Sequence, residues 1–115
     1  MHELSIALGI VRTVSERAAE LAIAKIDAVR IRIGELSGVD KSALQFAWEL
    51  AAEGSAAAGS ELRFEDVALM VKCSLCGAER HPPEKWQLAC PECPQARPII
   101  LAGRELHIVA LEVPE

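Results

Sequence analysis

Tyrosine is absent from this chain, and two phenylalanines and two tryptophans bring the aromatic fraction to only 3%. A single-strand nucleic-acid reader needs stacking rings and a duplex binder needs a basic face, whereas this chain carries a formal net charge of −5. Nucleic acid is therefore not the expected partner. No uninterrupted apolar run approaches the roughly 18 residues of a membrane span, so no membrane association is expected. Glu3 and Arg12 around LSIALGIV break the charge order of a secretory signal, and the chain reads as cytoplasmic. No clustered histidine and carboxylate set leaves an open metal position, and no nucleophile stands beside a base. These absences argue against a hydrolase and against catalytic turnover in general.

What is present is enough for one modest core: 115 residues, 51% of them hydrophobic. From Glu3 to about Ala24, apolar positions recur as Leu4, Ala7, Leu8, Val11, Val14, Ala18 and Leu21, one stripe of an amphipathic helix. AVRIRIGE alternates Val29, Ile31 and Ile33 with Arg30 and Arg32, the pattern of a strand with one buried face. In GVDKSALQFAWELAAEG, Asp40 is a helix N-cap, Leu44, Ala47, Trp48 and Ala51 form a second stripe, and Gly54 is a stop. ELRFEDVALMVK alternates again but changes parity, which predicts one strand with a bulge or kink near Asp66. RELHIVALEV is apolar at most positions and is expected to be the central strand, covered on both faces. The chain is thus predicted to be α+β, with two helices packed on a three-stranded sheet and an inserted zinc-ribbon module. Residues 1–70 and 100–115 form the main domain of this reading, and 71–99 the module.

That module holds Cys73 and Cys76, then Cys90 and Cys93, two Cys-x-x-Cys pairs. Reduced cytoplasmic thiols do not pair into lasting disulfides, so the four cysteines point to metal. Two tight turns facing each other supply four soft ligands for tetrahedral Zn(II). Five prolines crowd the segment, at 82, 83, 91, 94 and 98, and so few large apolar residues cannot stabilise it alone. Structural zinc contributes roughly 10–16 kcal/mol in comparable peptides, enough to order it. A thioredoxin-like redox site is disfavoured, since that chemistry uses one such pair at a helix start. His81 is expected at the surface beside Pro82, and His107 packed within the last strand. Pro94 follows Cys93 where Gly77 follows Cys76, and lacks an N–H to support a thiolate.

The first residues read MHE. A bulky His2 is expected to leave Met1 uncleaved, so that the terminal amine, the His2 amide and its imidazole can close adjacent chelate rings on one ion, with Glu3 in reach. Taken alone a second-position histidine is usually just solvated. The order MHELSIA, VRIRIGELSGVDKSALQFAWE, two Cys-x-x-Cys pairs and GRELHIVALEV, however, resembles the HypA/HybF hydrogenase maturation proteins over essentially the whole chain. The resemblance implies a nickel metallochaperone that delivers its cargo, Ni(II), into nickel–iron hydrogenase large-subunit precursors, beside the GTPase HypB. Some members also feed urease, which brings urease maturation proteins in as partners. It further implies Met1, His2 and Glu3 as the nickel site, and no enzymatic activity. Donor chemistry agrees, because nitrogen-rich tetragonal sets suit Ni(II) while thiolate tetrahedra suit Zn(II). Asp40 lies within conceivable reach of the nickel, but its N-cap role accounts for it. The alternative is a zinc-ribbon protein- or nucleic-acid-binding module without nickel, for which Lys72, Arg80 and Lys85 give only a sparse basic patch.

Overall fold

The computed structural model describes residues 2–115, with Met1 and the His2 side chain outside the described residues. Helix α1 runs His2–Glu20, with Glu3 in its first turn and Arg17 in its last, each matching the helix dipole. It ends four residues earlier than its apolar stripe suggests. Ala22 takes a positive φ of 57°, and the Ile23 N–H closes back on the Ala18 carbonyl at 2.8 Å. Helix α2, Lys41–Ala52, starts where expected: the Ala43 N–H donates to Asp40 Oδ1 at 3.1 Å.

Strands β1 (Ala28–Gly34), β2 (Glu61–Val67) and β6 (Leu106–Glu112) form one sheet in the order β2-β1-β6. β1, not β6, is therefore central, correcting the sequence expectation. Asp27 shows how the ladder begins, donating its N–H to Glu112 O while its carbonyl accepts from Glu61 N. Of β1's seven residues only Arg30 and Arg32 are not buried, whereas β6 buries none fully and His107 is exposed. The apolar run of β6 reflects an edge strand with Ile108 36% exposed. Hydropathy alone cannot rank strands by position, because the neighbours on each side are supplied by the rest of the chain.

ELRFEDVALMVK is likewise two strands rather than one bulged or kinked strand. After β2, Ala68 and Leu69 carry the chain into β3 (Met70–Cys73), which belongs to a second sheet with β4 (Glu79–Arg80) and β5 (Pro98–Ala102), ordered β4-β3-β5. Both pairings are antiparallel, with Val71 opposite Arg80 and Ile100. The cysteine module is thus a small sheet with its own ladder, and β5 had no sequence signal beyond PIILA.

The chain divides into two compact units, one of Met1–Ile31, Val39–Phe64 and Ile108–Glu115, the other of Arg32–Gly38 and Glu65–His107. In the first, α1 and α2 pack together around Val14, Val29, Ile31, Leu44 and Trp48, all nearly inaccessible to solvent. The Trp48 indole N–H is satisfied by Ser60 Oγ at 3.0 Å. In the second, Gly34 and Gly103 let two backbones cross. The Leu36 N–H reaches Gly103 O at 2.6 Å and the Gly34 N–H reaches Glu105 O at 2.9 Å. Glu35 and Glu105 tie the same crossing, accepting from the N–H groups of Leu69 at 2.9 Å and Gly103 at 2.7 Å. No helix among the described residues is long and apolar enough to cross a membrane.

Candidate metal centre

β3 delivers Cys73 at its end, and the first Cys-x-x-Cys is the turn of the β3–β4 hairpin. The Cys73 N–H donates to Ala78 O at 2.9 Å and the Gly77 N–H to Cys73 O at 3.0 Å. That turn also aims the Leu75 and Cys76 N–H groups at Cys73 Sγ, each at 3.4 Å. The second pair forms a similar tight turn, Cys93 N–H to Cys90 O at 3.2 Å, which leads through Ala96 to β5. Arg80 connects the two. Its guanidinium donates to the carbonyls of Gln87, at 3.1 Å, and Ala89, just before Cys90. Arg80 thus commits part of its guanidinium to the backbone of its own module.

The four sulfurs lie within 4.8 Å of one another, and no cysteine is in a disulfide. A tetrahedron with metal–sulfur bonds of about 2.3 Å has edges of about 3.8 Å, and Cys76 Sγ stands 3.8 Å from Cys90 Sγ. Cys73 and Cys90 are buried, Cys93 is half-buried and Cys76 is exposed. The N–H groups of Cys76 and Leu75 lower the Cys73 thiol to about 6. Cys93 is pushed up to about 12 by desolvation and by hydrogen bonding with Cys73 and Cys76. Cys76 is raised as well: an N–H from Ala78 favours its thiolate, but Cys73, desolvation and Cys90 outweigh it. The Cys73 thiolate is thus favoured while the charged forms of Cys93 and Cys76 are disfavoured, chiefly by desolvation and by hydrogen bonding within the cluster. A divalent cation would compensate the buried negative charge of four thiolates this close together, so this donor set fits zinc.

His81 stays outside this cluster. Its Nδ1–H donates to Leu69 O at 2.7 Å and the residue is exposed, as its place beside Pro82 suggested.

At the other candidate site, Met1 and the His2 side chain lie outside the described residues, and Glu3 is the residue that is visible. Its Oε2 accepts the Asp40 N–H at 3.2 Å. The first turn of α1 is thereby tied to the N-cap of α2, two carboxylates standing on adjacent elements. Sequence reasoning placed Glu3 and Asp40 separately and did not foresee this bond. The motifs GELSG and GRELHI do not by themselves show the crossing of Gly34 and Gly103; a glycine in each is the signal the sequence offers.

Comparison with known proteins extends these local observations to the entire chain. The family model described as "Hydrogenase/urease nickel incorporation, metallochaperone, hypA" matches residues 1–113. The hydrogenase maturation factor HypA of Chloroflexus aurantiacus is 46% identical over 114 residues, covering 99% of this chain and all of that protein. That of Streptomyces avermitilis is 38% identical, covering 96% and 86%. The solution structure of the Ni metallochaperone HypA from Helicobacter pylori superposes with a TM-score of 0.69 at 28% identity, covering 96% of both chains. A second HypA solution structure gives 0.74 at 29% identity, covering 99% and 97%. With a model match over residues 1–113 and relatives 46% and 38% identical that cover at least 96% of it, this chain belongs to the HypA family of hydrogenase and urease nickel-incorporation metallochaperones.

Proposed function

We propose that this protein carries Ni(II) on its amino terminus and releases it to a nickel-enzyme precursor, with no turnover of its own. Met1, His2 and Glu3 supply the nickel donors: the terminal amine, the His2 amide and imidazole, and the Glu3 amide or carboxylate. Cys73, Cys76, Cys90 and Cys93 hold a structural zinc that braces the module of β3, β4 and β5, while α1, α2 and the β2-β1-β6 sheet form the carrier domain. The observation that supports this most is the Glu3–Asp40 bond in a chain of this family. It anchors the third residue of the chain to the N-cap of α2. A site built on a chain end has few rigid supports, so it exchanges its metal, in contrast to a closed thiolate cage. In this reading the recipient is the hydrogenase large-subunit precursor, in the cytoplasm and beside the GTPase HypB, with urease maturation proteins as further partners; the family's hydrogenase and urease nickel-incorporation role supports it.

Equilibrium dialysis on zinc-loaded protein tests this reading. One Ni(II) binds per chain, and His2→Ala, acetylation of the α-amine or residues added before Met1 abolish uptake while zinc content stays constant. Affinity falls as pH drops from about 8 through about 6.5, where the amine and then the imidazole take up protons. Unchanged uptake after blocking the tip, or a flat profile, removes these donors from the site.

A further inference from the structure

Helix α2 presents to solvent a face that the fold itself does not use. Phe46 is 86% exposed and Leu50 64%, side by side at i and i+4. Glu49 and Glu53 run alongside them with the same spacing, the first in the helix's last turn and the second at its C-cap. Phe46 and Glu49 join Lys41 and Phe64 in lining a shallow open recess. Lys41 already lies over the Phe64 ring, 5.9 Å from its centroid.

The charges of this helix run against its dipole. Lys41 sits in the first turn, and the last turn carries acid with no basic residue. Among the described residues neither Glu49 nor Glu53 has an ion-pair partner. An unpaired acidic pair at the negative helix end, beside an aromatic ring left in water, is a local conflict that the fold does not resolve.

We propose that this face of α2 docks a basic amphipathic segment of a partner protein. One apolar side chain of the segment seats against Phe46 and Leu50, and its Lys or Arg side chains pair with Glu49 and Glu53. A second copy of this chain is the wrong occupant. Each copy already carries a net charge of −5, so pairing two copies brings like charge together, which a basic partner avoids. An anionic lipid surface is repelled for the same reason.

The probe is a synthetic helical peptide with leucines at i and i+4 flanked by lysines, compared with the same peptide carrying glutamates instead. Each is titrated into isotope-labelled, zinc-loaded full-length chain and followed by NMR. The lysine peptide shifts amides around Phe46 to Glu53 saturably, and binding weakens with added salt. Phe46→Ala weakens it by roughly tenfold or more, the scale of a central aromatic anchor. Glu49→Lys with Glu53→Lys reverses the preference toward the glutamate peptide. The same reversal raises the thermal midpoint, because it repairs the dipole conflict, so lost binding is not lost folding. Zinc and nickel content are unchanged in all variants, which separates this proposal from the nickel reading. It is overturned if the lysine peptide does not bind, binds no better than the glutamate peptide or shifts other elements. Insensitivity of binding to these substitutions, or self-association of the chain through this face, overturns it equally.

Discussion

Replacing Gly34 by alanine puts one methyl group where two backbones cross. A Cβ on Gly34 would stand 2.1 Å from Gly103 O, 2.2 Å from Gly103 C and 2.8 Å from Arg104 N, where real Cβ contacts stay beyond 3.0 Å. All three neighbours are backbone atoms, so no side-chain rotation relieves the clash, and the segments must part by about 0.9 Å, the shortfall from 3.0 Å. That separation stretches Leu36 N···Gly103 O from 2.6 Å and Gly34 N···Glu105 O from 2.9 Å to or beyond the limit of a hydrogen bond. Two such bonds at about 1 kcal/mol each, with their polar groups left partly unsatisfied, cost about 2–4 kcal/mol. The gain from restricting the unfolded chain, about 0.4–1 kcal/mol for Gly→Ala, does not offset this. Thermal unfolding of the zinc-loaded protein should therefore show Gly34→Ala lower by about 10–15 °C. Gly9→Ala is the control, because a Cβ there meets nothing within 4 Å. In the interior of α1 it should stabilise by about 0.5–1 kcal/mol. A Gly34→Ala midpoint within about 2 °C of wild type would refute the crossing as a steric constraint.

Asp40→Ala should cost about 1 kcal/mol in denaturant unfolding through loss of the α2 cap, whereas Asp40→Asn should stay within a few tenths. A nickel affinity that falls in both variants would show that the charge acts beyond the cap. Arg80→Ala frees the Gln87 and Ala89 carbonyls from the clamp ahead of Cys90, and should speed transfer of zinc to a competing chelator several-fold without changing α-helical circular dichroism. Exhaustive chelation should release one zinc per chain and abolish hydrogen-exchange protection in β3–β5, with that of α1 and α2 retained. Glu112 is held below the usual carboxylate range, first by its bond to Arg63, with Arg30 assisting, at separations of 2.5 and 3.0 Å respectively. Because the folded form has the lower pKa, this contribution is complete above about 4.5 and is lost as pH falls through the depressed value. Glu112→Gln should accordingly flatten the acid limb of the stability profile relative to wild type, and the difference should shrink in high salt, since the cluster is exposed.

Periodicity and caps were enough to locate both helices, because each rests on contacts within one or two turns of chain. Asp40 bonds its own helix three residues on, so its role is written locally. Cysteine spacing was equally legible: a Cys-x-x-Cys turn brings two sulfurs together whatever surrounds it, and only the facing of the two turns had to come from folding. Strand rank was not legible. The alternation of β1, with arginines at 30 and 32, looks half-exposed, yet it is the central strand, while the more apolar β6 lies at an edge.

The amino-acid order alone therefore determined the helical stripes, the α2 cap, the two thiolate turns and, through its end-to-end motifs, the family. The tertiary structure decided which strands neighbour which, the division of ELRFEDVALMVK between two sheets, the Gly34–Gly103 crossing and the bond from Asp40 N–H to Glu3. Each of these joins residues distant in sequence, Glu3 and Asp40 by 37 positions. Such contacts form only when burial and backbone pairing across the whole chain repay the cost of closing the intervening loops, which no local pattern records.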